Sequence, residues 1–316
     1  MNILITGGAG FIGSNLVKFL LDLPQINLVR VLDNFATGKK ENIQAYIGHP
    51  KFQLIEGDIQ DLETCMLACN NIQAISHQAA LGSVPRSIKE PLNSHRVNVN
   101  GFLNMLEAAK LNNIQRVVYA SSSSVYGDLN ESPKVETRVG KVLSPYAATK
   151  MANELYAEAY AKNYGMSLVG LRYFNVFGPQ QDPNGPYAAV IPLFIKAALS
   201  NTSPIINGDG SITRDFTPIS NVVQINHLAL TSDLLNSMHY VFNVACGQTT
   251  TLKELWLLVK EITASSAEPI YGPTRKGDIL ASLADVSFAC KTLGYKPDRD
   301  LYSHLKNAID FYRGYF

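Results

Sequence analysis

The stretch "ILITGGAGFIGSNL", Ile3 to Leu16, places four glycines within seven positions just after an apolar run. Residues 2–6 (NILIT) read as a short buried strand, and residues 11–23 (FIGSNLVKFLLDL) carry apolar spacing suited to a helix. A strand running into a helix through glycines is a phosphate-binding turn, because backbone N–H groups and the positive helix end face an anion. Gly7 and Gly10 would let the backbone curve tightly and a pyrophosphate come close, while Gly13 would let the helix lie against the strand. The spacing is G-x-x-G-x-x-G instead of G-x-G-x-x-G, so a purely structural glycine turn stands as the alternative. A P-loop for nucleoside triphosphates is excluded, since Ser14 follows the last glycine where a Lys is required.

A second strand, residues 28–33 (LVRVLD), ends in Asp33, 20 residues after Gly13. An acid there binds the adenosine ribose hydroxyls and repels a ribose phosphate, so the dinucleotide is expected to be NAD. Residues 52–61 (FQLIEGDIQD) read as a third strand with Asp58 at its end, either beside the adenine or capping the next helix. Further strands are expected at residues 74–77, 116–121 and 168–173, with helices near 100–111 and 146–163. Strand and helix in turn predict an α/β fold, a Rossmann-type doubly wound parallel sheet. After about residue 175 the chain becomes richer in Pro, Gly and Asn. A dinucleotide-binding domain over 1–174 and a smaller substrate-binding domain over 175–316 are expected, with the chain free to cross back between them.

Several function classes fall away on composition. Lys plus Arg (27) nearly balances Asp plus Glu (26), which leaves no overall footprint for nucleic acid or an acidic membrane. No basic, apolar leader and no stretch of about 18 apolar residues is present, so a cytoplasmic protein without a membrane span is expected. Cys65, Cys69, Cys246 and Cys290 lack metal-ligand spacing and the six histidines are scattered, so no metal site is proposed.

The chemistry concentrates in "SPYAATK". Ser144 suits an N-cap and Pro145 a first helical position, so Tyr146 and Lys150, four apart, would share one helix face. The strand "VVYASSSSVYG" (117–127) carries serines to the carboxyl edge of the sheet, where α/β proteins bind ligands.

TGGAGFIG, Asp33, the serine run and Tyr146-x-x-x-Lys150 together resemble the extended short-chain dehydrogenase/reductase family, and within it the nucleotide-sugar epimerases. The resemblance spans nearly the whole chain. It implies that Ser122, Tyr146 and Lys150 are catalytic. It places Gly7, Gly10, Phe11, Ile12, Gly13, Asp33, Asn34, Gly38, Asp58, Ile59, Gln78, Ala79, Ala80, Asn98, Tyr146, Lys150 and Tyr173 against NAD. Ser122 is singled out because it lies four before Tyr126 of "VYG". Ser123 and Ser124 stand where related sugar 4,6-dehydratases carry Asp-Glu, so elimination of water would lack its acid pair. A phenol of pKa ~10 is a poor base at neutral pH, and the Lys150 cation together with an oxidised nicotinamide would lower it.

The same resemblance implies a UDP-sugar substrate. Gly82, Ser83, Arg86, Ser122, Ser123, Tyr146, Asn175, Ala189, Val190, Asn207, Arg214, Arg275, Asp278 and Ser282 would face it. Arg214 and Arg275 would hold the diphosphate in bidentate contacts, unless they are surface salt-bridge residues, and Asp278 would hold a ribose hydroxyl. Ser282 matches a position where a bulky Tyr excludes an N-acetyl group at carbon 2. "ALGSVPRS" (80–87), Ser123 and "PYAAVIP" (186–192) resemble bacterial epimerases preferring N-acetylated sugars. Interconversion of UDP-N-acetylglucosamine and UDP-N-acetylgalactosamine is therefore expected. UDP-glucuronate is an alternative, with Arg86 facing its carboxylate, and a catalytically silent NAD sensor is a remoter one. The family further implies a homodimer through the segments near 100–111 and 147–163, although Leu103, Leu106, Leu155 and Tyr156 could equally be core.

Overall fold

The computed structural model describes residues 1–184, 188–273 and 282–315. Its first half alternates strand and helix: β1 (Asn2–Thr6), α1 (Phe11–Leu21), β2 (Leu28–Asp33), β3 (Phe52–Glu56), α2 (Leu62–Cys69), β4 (Ala74–His77), α3 (Val84–Lys89), α4 (Pro91–His95), α5 (Gly101–Leu111), β5 (Arg116–Ser122), α6 (Pro145–Tyr164) and β6 (Ser167–Tyr173). The strands form one parallel sheet in the order β3-β2-β1-β4-β5-β6, completed at the β6 edge by His239–Val244. The order reverses between β1 and β4, and a crevice at the carboxyl end of such a switch point is where open α/β sheets bind ligands.

Both faces of the sheet are covered, which is why β6 is buried at every residue. On one face α1 contributes Leu16, Val17 and Leu20, packed with Val222, Ile225 and Ala229 of the helix Ile219–Thr231. On the other, α2, α5 and α6 contribute Cys65, Phe102, Leu106 and Ala157. A separate apolar cluster holds the smaller region, where Phe194 meets Trp256 edge-on and Leu305 and Ile309 of the helix Leu301–Arg313 close the core. The chain crosses back: the helix Ile219–Thr231 and the strand His239–Val244 lie beyond residue 174 yet belong to the main sheet layers.

No helix among the described residues is long and apolar enough to cross a membrane. The cysteines are free, and burial pushes the Cys65, Cys69 and Cys246 thiols up to about 12. Among the described residues no group of three or more His, Cys, Asp and Glu could hold a metal ion.

A buried ion pair ties α6 to the sheet. Arg172 on β6 donates through Nη2 and Nε to the two carboxylate oxygens of Glu154, at 2.7 and 2.9 Å. The same carboxylate accepts from Ser121 Oγ at 2.6 Å. Because burial strips both ions of water, one without the other is costly, while losing both together is not. Glu154→Met is expected to lower unfolding free energy by roughly 3–5 kcal/mol, and Glu154→Met with Arg172→Met to recover most of it. Denaturant midpoints of the two variants check this.

Candidate active site

The glycine turn is shaped by backbone contact. Gly7 sits at φ +68°, and a Cβ on it would lie 2.7 Å from Ala79 N at the end of β4. A Cβ on Gly13 would lie 2.1 Å from Gly7 O, so α1 rests directly on the turn. No side chain caps α1 and its first turn carries no acid, which leaves its positive end available to an anion. Asp33 closes the next strand: its Oδ2 accepts from Ala9 N and its Oδ1 from Phe35 N, each at 2.8 Å. Burial pushes the Asp33 carboxyl up, and those two N–H groups pull it back.

Asp58 accepts from Asn34 Nδ2 at 2.8 Å. The helix after it, α2, is capped by Asp61, whose oxygens accept from Glu63 N and Thr64 N. Of the two roles open to Asp58 in the sequence, capping therefore falls to the acid three residues later.

A cavity of about 400 Å³ runs from this turn to the end of β5. Gly7, Gly10, Phe11, Ile12, Gly13, Asp33, Asn34, Gly38, Asp58, Ile59, Gln78, Ala79, Ala80, Tyr146, Lys150 and Tyr173 all line it, so one wall joins every expected cofactor residue except Asn98. Asn98 lies behind the wall, where its amide spans Leu81 N and Leu81 O and donates to Thr149 Oγ1 at 3.1 Å. Leu32, Thr37, Gly57, Leu81, Val97 and Val176 also line the cavity. Apart from Thr37 they are apolar or glycine, and none carries a motif of its own.

At the far end stand Ser122, Tyr146 and Lys150. Helix α6 begins as its sequence suggests, with Pro145 in the first turn and Ser144 Oγ accepting from Ala147 N at 3.1 Å. Lys150 Nζ donates to Ala120 O at 2.8 Å and lies 5.9 Å from the centre of the Tyr146 ring. Burial lowers the Lys150 ammonium to about 8, so it remains charged at neutral pH. Burial pushes the Tyr146 phenol up, and a hydrogen bond from Ser122 pulls it down. Ser122 Oγ itself accepts from Ser124 N at 3.2 Å, which leaves its proton to donate. Ser121 also lines the cavity, and its Oγ donates to Glu154 at 2.6 Å. His77, below the site, is held neutral by burial and the Lys150 charge, with its pKa down at about 3.

Of the expected substrate residues, Gly82 and Asn175 join Ser122 and Tyr146 on the cavity wall. Ser83, Arg86, Ser123, Ala189, Val190, Asn207, Arg214 and Ser282 lie outside that cavity, and Arg275 and Asp278 fall outside the described residues. Ser282 N donates to Thr213 O at 3.3 Å, which sets Ser282 beside the short strand that carries Arg214.

Fold and site together define a dinucleotide-dependent enzyme of the Rossmann class. A glycine turn, an acid on the second strand and a Ser–Tyr–Lys set on one cavity wall fit NAD, which Gly7 to Gly13 and Asp33 would hold at one end and Tyr146 and Lys150 at the other. The family model described as "NAD dependent epimerase/dehydratase family" matches residues 3–245, and the chain belongs to that family as an NAD-dependent epimerase. It is 37% identical over 311 residues to a putative UDP-glucose 4-epimerase of Methanocaldococcus jannaschii, covering 98% of this chain and 97% of that one. Among solved structures, a UDP-N-acetylglucosamine 4-epimerase of Methanobrevibacter ruminantium M1, in complex with UDP-N-acetylmuramic acid, superposes with TM-score 0.93 at 38% identity, over 100% of this chain and 99% of that one. The UDP-glucose 4-epimerase of Thermotoga maritima with UDP-glucose follows, at TM-score 0.92 and 35% identity, over 100% and 99%.

Because a methyl at position 13 has no space, Gly13→Ala is expected to weaken NAD binding at least ~10-fold, or about 1.4 kcal/mol. Titration of the apo-protein with NAD, followed by calorimetry, checks this.

Proposed function

We propose that the chain inverts carbon 4 of a UDP-sugar, with UDP-N-acetylglucosamine and UDP-N-acetylgalactosamine as its preferred pair. The observation that carries the reaction is the Ser122–Tyr146 hydrogen bond with the charged Lys150 behind it, at the end of the cavity opposite the glycine turn. Bound NAD supplies a reversible hydride acceptor for carbon 4. Tyr146 takes the proton of the C4 hydroxyl and later returns it. With the sugar bound, Ser122 turns its one hydroxyl hydrogen from Tyr146 to a hydrogen bond with the same oxygen, while its Oγ stays held by Ser124 N. Lys150, anchored on Ala120 O, supplies a fixed positive charge that favours the Tyr146 phenolate. Ser123 and Ser124 offer no carboxyl to move protons at carbons 5 and 6, which favours epimerisation over dehydration.

The preference for N-acetylated sugars rests on the small Ser282 beside the Arg214 strand, where a large side chain would fill space next to carbon 2. UDP-glucuronate is the second reading. It is favoured by Arg86, carried on the short α3 immediately after the cavity residue Gly82. The chain pairs with a second copy through α5 and α6, a reading favoured by Leu155 and Tyr156, 66% and 42% exposed on α6.

Proton NMR of the anomeric region separates the substrate readings. With NAD present, galacto product is expected mainly from UDP-N-acetylglucosamine, less from UDP-glucose and none from UDP-glucuronate. Conversion of UDP-glucuronate alone would move the specificity to Arg86. Ser282→Tyr is expected to cut kcat/KM for the N-acetylated pair by at least about 10-fold while sparing UDP-glucose, and equal loss on both would refute the pocket assignment.

Lys150 Nζ lies 5.9 Å from the centre of the Tyr146 ring, and a cation there favours the phenolate over the phenol. Removing it raises the phenol pKa. The acidic limb of the kcat–pH profile is therefore expected to move to higher pH in Lys150→Met and to move much less in Lys150→Arg.

A further inference from the structure

The first turn of a helix presents N–H donors with no intrahelical acceptor. In α6, position 145 is a proline without an N–H, Ala147 N is satisfied by Ser144 Oγ and Ala148 N by Ser144 O. The remaining donor, Tyr146 N, is satisfied from outside the helix: it donates to Ser87 Oγ at 2.9 Å. Ser87 is fully buried, and its own hydroxyl proton goes to Val84 O at 2.7 Å. Both valences of the hydroxyl are thereby fixed, so the oxygen has one orientation.

Ser87 belongs to α3, which is held to the cavity wall at its start. Ser83, a non-glycine residue at φ +98°, caps α3 through Oγ to Arg86 N, and Ser83 O accepts from Ser87 N. Leu81 and Gly82, just before it, line the cavity. The segment from Leu81 to Ser87 therefore runs from the wall to the backbone of Tyr146 and ends on it through one hydroxyl.

We infer that Ser87 is a positioning residue for Tyr146. It fixes the first turn of α6 against the segment 81–87, so that the phenol stands at hydrogen-bond distance from Ser122 and from the bound sugar. This rests on the reading of Tyr146 as proton acceptor. A misplacement of about 1 Å at a reacting group is enough for a ~100-fold loss of rate, whereas ground-state binding of nucleotide and cofactor depends on contacts elsewhere along the cavity.

The test compares variants of the NAD-bound enzyme with UDP-N-acetylglucosamine as substrate. Ser87→Ala is expected to lower kcat by about 10- to 100-fold with KM and NAD affinity changed less than about twofold. Ser87→Thr, which keeps the hydroxyl, restores most of kcat. Ser94→Ala is the control for loss of a buried hydroxyl on the neighbouring α4, because Ser94 Oγ has no hydrogen-bond partner, and it leaves kcat unchanged. If Ser87→Ala does not accumulate folded, Ser87→Cys fills the same space with a poor acceptor and takes its place. Unchanged kcat in Ser87→Ala overturns the inference, as does a parallel fall of kcat, NAD affinity and thermal midpoint that Thr does not repair. Tyr146→Phe keeps the two readings apart. An active Tyr146→Phe sinks the proton-acceptor role itself, while an inactive Tyr146→Phe beside a fully active Ser87→Ala sinks only the positioning role.

Discussion

The backbone of the glycine turn touches the backbone of its neighbours with no side chain between them, and the rest of the site depends on that contact. Gly7 lies against Ala79 at the end of β4, and Gly13 lies against Gly7 O. These two approaches fix the separation of β1, α1 and β4 at the switch point of the sheet, where the strand order leaves a crevice. A methyl group on either glycine would need space already occupied by main-chain atoms. The turn thus leaves the uncapped end of α1 facing the cavity, with the carboxylate of Asp33, held by Ala9 N, beside it where it would meet a ribose.

The chemical end of the cavity is set by a second group of contacts, this time between α6 and β5. Lys150 reaches Ala120 O and Glu154 reaches Ser121 Oγ, so two residues one helical turn apart grip two consecutive residues of the strand. Ser122 is next on β5 and lines the cavity. The charge of Glu154 is matched by Arg172 inside the fold, and the charge of Lys150 is the one left to act on Tyr146. Burial pulls the lysine down to about 8, which still leaves it charged at neutral pH, and pushes the tyrosine up, away from the range where it would serve as a base.

The parts of this arrangement that are local in sequence were legible there. The β1 turn and α1 are visible because glycines and apolar periodicity sit side by side, and the start of α6 because Ser144 and Pro145 signal it. Asp33 is visible from its distance to Gly13. What the sequence hides is pairing between distant segments. Nothing local says that His239–Val244 completes the main sheet, since its partner β6 lies about 70 residues earlier. Asn98 carries a chemistry-bearing amide but spends it on Leu81 and Thr149 behind the wall. Asp58 and Asp61 are both plausible caps three residues apart, and only the bend of the chain chooses between them. Ser87 has no motif at all, because its role lies in one hydrogen bond to a residue 59 positions away.

The central claim is that carbon 4 is inverted by hydride removal and return within one closed site, with Tyr146 moving only the hydroxyl proton. The most direct measurement is epimerisation of UDP-N-acetylglucosamine carried out in deuterium oxide, with the product analysed by proton NMR and mass spectrometry. The expected product keeps the original hydrogen at carbon 4 and gains no deuterium at any carbon. Deuterium at carbon 4 would show that this hydrogen leaves as a proton. Deuterium at carbon 5 or 6 would show proton transfers of the dehydratase kind, and either result would contradict the account.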